Sequence, residues 1–291
     1  MPNSTSKLSL SINDQYFTPV DTAKWCFETV QKETGWDFKG TALEPAVGQF
    51  AFVKAAEELG LDLKWTTNDL FPTGNRRPDF EMDFKEFEGS FDYVITNPPF
   101  GSANTLARMF MKRGLSLADR VMMLLPKGAR RLGFQDSMPR NAERIFDCGL
   151  EDETFVTSTG EIKTVKTCIQ AWRTTDQTFP LLRDQLDLRD DLFSYRHGND
   201  DDWDANLDIQ VVRWGSAGRV VPKEKHRKSG ALMSVSLKNI SEEQFIEIQN
   251  SLDFSDFDEM CSGAPAFDVP VWVHRFNLRA VELNLLPEKV K

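Results

Sequence analysis

Asn97-Pro98-Pro99-Phe100 are the residues whose types and spacing point most directly to chemistry. A carboxamide and proline carbonyls supply hydrogen-bond acceptors, and the aromatic ring supplies a flat apolar face. Proline has no N–H, so two in a row cannot continue a sheet ladder. Pro98 also holds Asn97 extended, as Pro99 holds Pro98. The run before them, Tyr93-Val94-Ile95-Thr96, consists of strand formers and predicts a buried strand. A strand ending in such a stiff corner presents polar atoms at its carboxyl end, where open α/β sheets bind ligands.

The elements that must position this corner come largely before it. Tyr16-Phe17-Thr18-Pro19 leads into a helix over 20–34, with Ala23, Cys26, Phe27 and Val30 at helical spacing and Asp21 near the positive end of the dipole. Residues 40–44 read as the first sheet strand. The small-residue turn Pro45-Ala46-Val47-Gly48 and a helix over 49–59 follow, with Gly60 as its stop. This strand, tight turn and helix predict the first unit of a dinucleotide-type fold, in which small residues let a ligand approach the backbone. A second strand over 62–67 ends at Asn68-Asp69. Asp69 lies about twenty residues past the glycine turn, where a nucleoside ribose finds its acceptor. Beyond the corner, a helix over 103–117 and a strand over 120–126 follow, and Lys127 to Arg131 then emerge at the strand's carboxyl edge. Strands near 154–157 and 167–173, joined through Ser158-Thr159-Gly160-Glu161, would complete the sheet as a hairpin.

Asn97-Pro98-Pro99-Phe100 resembles the catalytic motif of S-adenosylmethionine-dependent methyltransferases that modify exocyclic amines, chiefly the DNA adenine-N6 family. Tyr16-Phe17-Thr18-Pro19 is similar to the segment that in this family folds over the methionine end of the cofactor. Leu43-Glu44-Pro45-Ala46 is similar to its cofactor-binding motif, with the departure that the usual Gly-x-Gly is reduced to Gly48 alone. Asp83 and Phe84 stand where the family places an acid against the adenine amine and an aromatic against its ring, with Asp79 as the competing acid. The motif order resembles the gamma group, and the resemblance covers about residues 14–173.

The resemblance implies an α/β, Rossmann-like class I methyltransferase sheet with helices on both faces, and S-adenosylmethionine as cofactor. The substrate it implies is a flipped adenine in duplex DNA. Asn97, Pro98, Pro99 and Phe100 would be catalytic, and Tyr16 to Pro19, Glu44, Pro45, Ala46, Gly48, Asp69, Asp83 and Phe84 would bind cofactor. The acceptors would hold both amine hydrogens, and Phe100 would stack on the base. Neither a metal nor a general-base histidine is required. The same corner also serves RNA amine and protein glutamine methyltransferases, and the shortened glycine turn leaves open a non-catalytic binding subunit. The family's setting includes restriction-modification. Pro78-Asp79 with Asp83-Phe84-Lys85 is superficially similar to a PD…DxK nuclease motif, but its acids stand too close together, and no restriction partner follows from this chain.

At 291 residues the chain can bury a large core and suggests two domains. The expected division is a disordered tail at 1–13, the methyltransferase domain at 14–175, a linker at 176–206 and a small α+β target-recognition domain at 207–291. In the last of these, Asp208 to Trp214, a turn at 215–218 and Arg219-Val220-Val221 read as a hairpin. Strands follow over 231–237 and 269–273, and Ser241 with Gln244 reads as a capping box opening a helix through Leu252. The net charge of −10 argues against non-specific DNA binding. Local basic stretches at 120–144 and 219–228 nevertheless make Lys127, Arg130, Arg131, Arg213, Trp214, Arg219 and Lys223 the candidates for nucleic-acid contact. Asp200-Asp201-Asp202 and 253–259 would repel it. Cys26, Cys148, Cys168 and Cys261 are widely spaced and read as reduced thiols of a cytoplasmic protein. No apolar run is long enough to span a membrane, and Met1 to Ile12 lacks the apolar core of a signal peptide.

Overall fold

The computed structural model describes residues 16–150, 154–157, 161–197, 209–260 and 266–289. The tail, Asp14-Gln15, the turn residues 158–160, the acidic run 200–202 and Cys261 lie outside the described residues. The chain divides into two compact units. The first comprises 1–129 and 137–179, the second 130–136 and 180–291.

The first unit is built on a six-stranded sheet. Its chain order is β1 (Tyr16–Phe17), α1 (Val20–Thr34), β2 (Gly40–Glu44), α2 (Ala51–Glu58), β3 (Leu63–Thr67), β4 (Phe91–Thr96), α3 (Thr105–Leu117) and β5 (Ala118–Pro126). After α4, which belongs to the second unit, come β6 (Ala142–Leu150), β7 (Thr154–Thr157), β8 (Ile162–Thr164) and β9 (Thr167–Thr174). Across the sheet the order is β3-β2-β4-β5-β9-β6. The first four strands are parallel, and β9 runs antiparallel to both its neighbours.

Helices cover both faces because the parallel strands are apolar on both. Ala42, Tyr93, Ile95, Met122 and Leu124 pack under α1 and α2 with Cys26, Phe27, Val30, Phe52, Ala55 and Ala56. On the other face, α3 approaches so closely that a Cβ on Gly114 would lie 3.0 Å from Met123 and 3.3 Å from Val94. Burying each large apolar side chain contributes about 1.5–3 kcal/mol. This is the Rossmann-like α/β architecture expected, and α1 spans the 20–34 read from its apolar spacing.

The edge of the sheet differs from expectation. The last strand is β6, whereas residues 154–157 leave the sheet and pair as β7 with β1 and β8 in a separate three-stranded sheet. β6 carries Glu143, Arg144 and Asp147 as a half-buried edge strand. A register shift between Arg144 and Phe146 breaks its alternation.

The second unit holds α4 (Leu132–Gln135), β10 (Phe193–His197), β11 (Ile209–Val212), β12 (Val220–Val221), β13 (Leu232–Leu237), α5 (Glu242–Ser251) and α6 (Val269–Glu282). Its four strands form an antiparallel sheet in the order β10-β13-β11-β12. β10 falls within the segment expected as a linker. The Ser241–Gln244 capping box is present at α5. Residues 269–273, expected as a strand, form the first turns of α6. Val269, Trp272, Val273, Phe276 and Ala280 are buried at helical spacing, and Pro270 stands in the first turn, where its missing N–H costs nothing. These side chains close a core with Phe193, Val211, Val235, Phe245 and Phe257.

Among the described residues Cys26 and Cys168 are buried and Cys148 half-buried, all unbridged. No described helix is long and apolar enough to cross a membrane.

Candidate active site

β3 lies on one side of β2 and β4 on the other, so chain order reverses between β2 and β4. In open α/β sheets the ligand crevice opens at that point, beyond the strands' carboxyl ends. Glu44 ends β2 and Thr96 ends β4. The Pro45–Gly48 turn and the Asn97–Phe100 corner therefore flank one crevice, with Asn68-Asp69 beyond β3 beside them.

The corner itself is tied to the segment far upstream. Asn97 Nδ2 donates to the Tyr16 carbonyl at 3.2 Å and to Thr18 Oγ1 at 3.0 Å. A carbonyl can only accept, so Tyr16 fixes which end of the carboxamide is nitrogen, while the Thr18 hydroxyl suits either. The consequence is at the other end: Asn97 Oδ1 is buried and has no hydrogen-bond partner. Phe100 stacks on Tyr16, with centroids 6.1 Å apart and planes inclined at 20°. Gly101 has a positive φ, as do Ala103 and Asn104, so the loop leaving the corner holds two non-glycine residues in the left-handed region.

The same upstream segment reaches the glycine turn. Gly48 has φ +48°, and a Cβ there would meet the Phe17 ring at 3.3 Å. β1 and its continuation thus touch both sides of the crevice. Pro19 caps α1 and turns the chain away.

Two carboxyl groups stand at the turn. Glu44 is 2% exposed, and its Oε1 lacks a hydrogen-bond partner. Burial pushes its carboxyl well above the usual range. Thr96 and the Ala46 N–H pull it back, and the Asp69 charge adds to the rise. Asp69 accepts from Gly48 N at 2.8 Å through Oδ2 and from Phe71 N at 2.9 Å through Oδ1, so it braces the glycine turn.

The sequence marks Asn68 only as a strand end, yet it is 1% exposed and knits three segments. Its Nδ2 donates to Pro45 O and Met82 O, and its Oδ1 accepts from Met82 N, all at 3.1 Å. Asn68 brings the loop before Asp83 to the Pro45–Gly48 turn; the signal available was a carboxamide directly before an acid at a strand end. Asp83 accepts from Lys85 N at 3.0 Å and caps the 3₁₀ turn Phe84–Glu86. The competitor Asp79 binds Thr67 N and Thr67 Oγ1, both at 2.8 Å, and pins the loop to β3. Phe84 departs from expectation. The turn that Asp83 caps sends its ring into the core, 2% exposed and 4.8 Å from Phe110, so it is not an open stacking face.

The candidate phosphate contacts divide. Lys127 is 3% exposed, on the buried turn after β5, and offers no phosphate-facing head group. Arg131 donates to the Ala266 carbonyl at 2.7 Å and begins α4; with Arg130 it belongs to the second unit. Arg213 is half-buried, with Nη1 3.4 Å from His197 Nδ1. Burial and the neighbouring Arg131 lower its pKa against the pull of Asp268. Trp214 is 55% exposed. Arg219 is exposed, and Lys223 pairs with Glu242 at 2.8 Å.

No protein-family model matches the chain, and no curated protein matches it. Solved structures to which it is similar include a candidate RNA methyltransferase from Pyrococcus horikoshii, with TM-score 0.46 and 17% identity over 56% of this chain and 88% of that one. A candidate class I S-adenosylmethionine-dependent methyltransferase from Listeria monocytogenes has TM-score 0.42 and 14% identity over 60% and 66%. A type I restriction-modification methyltransferase subunit from Streptococcus thermophilus has TM-score 0.38 and 13% identity over 56% and 45%.

Proposed function

We propose that this chain transfers a methyl group from S-adenosylmethionine to the exocyclic N6 amine of an adenine flipped out of duplex DNA. The observation that carries the reading is the Asn97 carboxamide, oriented by an acceptor-only partner so that its oxygen stays buried and unpartnered. An unpartnered buried acceptor costs free energy, so a donor brought to it is bound strongly. The adenine amine is such a donor and a poor nucleophile, because its lone pair is delocalised into the ring. With Asn97 Oδ1 and the Pro98 carbonyl accepting its two hydrogens, the nitrogen is drawn towards a tetrahedral geometry and the lone pair is released. As the methyl group would bond to that nitrogen and its bond to sulfur break, positive charge would develop on the nitrogen, the two preorganised acceptors would favour it over the neutral ground state, and one N–H proton would then leave to solvent. Phe100 gives the extruded base a face to stack on.

The cofactor supplies an electrophilic methyl group on a sulfonium. The residues at the crevice fit a cationic ligand. Asp69 brings a carboxylate, and Glu44 brings a buried carboxyl with an unpartnered oxygen, whose raised pKa a bound cation would draw down. Gly48 at positive φ lets the Phe17 ring pack directly against the turn, which joins the upstream segment to it. Tyr16 to Pro19 would close over the ligand, with Pro45 and Ala46 lining the turn and Asp83 facing the nucleoside end. On the second unit, exposed Trp214 and Arg219 are assigned to DNA contact.

The test is nucleoside mass spectrometry on DNA from a methylation-free bacterial host expressing the protein, with Asn97→Ala as control. N6-methyladenine should appear with the parent chain and be absent with the variant. Methylation that survives in Asn97→Ala, or no methylated adenine from well-expressed protein, overturns the reading; the second result would turn attention to RNA amines or protein glutamine.

A further inference from the structure

The first unit carries a basic cleft that neither the sequence motifs nor the catalytic corner uses. It has a volume of about 440 Å³, and Lys85, Arg108, Lys112 and Arg113 contribute its cations around Met109. Arg108 and Lys112 stand one turn apart on α3, with Arg113 beside them, while Lys85 comes from the turn that Asp83 caps. Arg113 is held by the Phe87 carbonyl and by Glu88 at 2.9 Å. Lys85 and Lys112 are exposed and have no ion-pair partner among the described residues. Four cations meeting in one cleft are unexpected on a chain of net charge −10. With Arg113 paired to Glu88, Lys85 and Lys112 are the two exposed cations that leave a positive potential at the cleft, which an anion relieves. Thr105, the first residue of α3, lines the cleft. α3 leaves the corner after Gly101–Asn104, and Lys85 follows Asp83 by two positions.

We propose that this cleft is a backbone-phosphate site, in which Lys85 and Lys112 hold the DNA strand flanking the target base on the first unit. The inference rests on the DNA reading above and adds a contact surface to it. Phosphates fit because they are the repeating anions of that substrate and because the two exposed lysines are mobile point charges. A lysine ammonium binds phosphate as a point charge and does not require one fixed orientation of it.

The experiment is fluorescence anisotropy of the full-length protein with a labelled duplex of about 30 base pairs over a range of salt concentrations. The parent is compared with Lys85→Gln/Lys112→Gln and with Lys54→Gln/Lys64→Gln, two exposed lysines elsewhere on the same unit. Each phosphate contact adds about 0.9 to the salt slope, so losing two should make it shallower by about 1.8 and weaken binding roughly thirty-fold at 0.15 M salt. The control pair should bind as the parent does, and calorimetry with S-adenosylmethionine should give the same affinity for all three. Equal binding by the parent and the cleft variant overturns the inference, as does equal weakening by the control pair, which would make the effect one of net charge. A parent that binds no duplex DNA overturns the substrate reading and this inference together, an outcome distinct from the first two.

Discussion

Asn97→Asp separates two accounts of the corner that agree on Asn97→Ala. If the corner needs only an acceptor at Oδ1, a carboxylate serves as well as a carboxamide. If the upstream segment must hold the side chain, it does not. In the parent, Nδ2 sits 3.2 Å from the Tyr16 carbonyl and 3.0 Å from Thr18 Oγ1. In the variant an oxygen faces both. Thr18 can rotate its hydroxyl and donate, which repairs one contact, but the Tyr16 carbonyl cannot. One acceptor is then set against another in a half-buried site, at a cost of about 1–3 kcal/mol, a loss of roughly five- to 150-fold in methyl transfer. The cost has a pH signature. Partial burial and the facing carbonyl raise the new carboxyl above the ordinary value of about 3.9. Its protonated form donates to Tyr16 and restores the geometry, so activity relative to the parent is retained below the raised pKa and lost as pH rises through it. Single-turnover methyl incorporation into duplex DNA, run for both proteins from about pH 5 to 8, reads the ratio directly. A variant as active as the parent across that range would refute the idea that Tyr16 orients the Asn97 amide for the proposed transfer.

Other consequences follow from the same geometry. Thr18→Val removes one of the two acceptors for Nδ2 at nearly constant volume and should slow turnover about fivefold, the equivalent of one hydrogen bond of about 1 kcal/mol, while Thr18→Ser stays close to the parent; steady-state kinetics on both variants checks this. Glu44 has a raised pKa in the folded chain, so it contributes stability that is fully present below its unfolded pKa and lost as pH rises through the folded one. Melting temperatures of the ligand-free protein should fall with pH in that window, and Glu44→Gln should flatten the dependence; an unchanged slope in the variant would place the titration elsewhere.

How much of this was legible in the sequence depends on the distance over which each signal is local. Phe91–Phe100 was legible because strand formers, then two prolines, settle a strand and its end within ten residues. α5 was legible because Ser241 and Gln244 settle its start within four. α6 was not: Val269, Val271 and Val273 alternate as in a strand, and the helical set appears only when Phe276 and Ala280 are added. A five-residue window sees period two, whereas the full fourteen residues bury a period near 3.6. β6 was hidden by its register shift, which puts Ile145 out of the alternation a strand is recognised by.

Phe84 and Lys127 show a different limit. Their types are plain in the sequence and their directions are not, because direction is set by the turn each one occupies. Asp83 caps a 3₁₀ turn that aims the next ring at Phe110. Lys127 begins a buried turn at the carboxyl end of β5, a central strand. The candidate site was legible as pieces, since Tyr16 to Pro19, Glu44 to Gly48 and Asn97 to Phe100 each have a local signature. What joins them has none. The bond from Asn97 to Thr18 spans 79 residues, and that to Tyr16 uses a backbone carbonyl, which every residue type offers. A motif therefore announces that an acceptor is present, but only the fold shows that this one is aimed, and the aspartate substitution tests the aim rather than the motif.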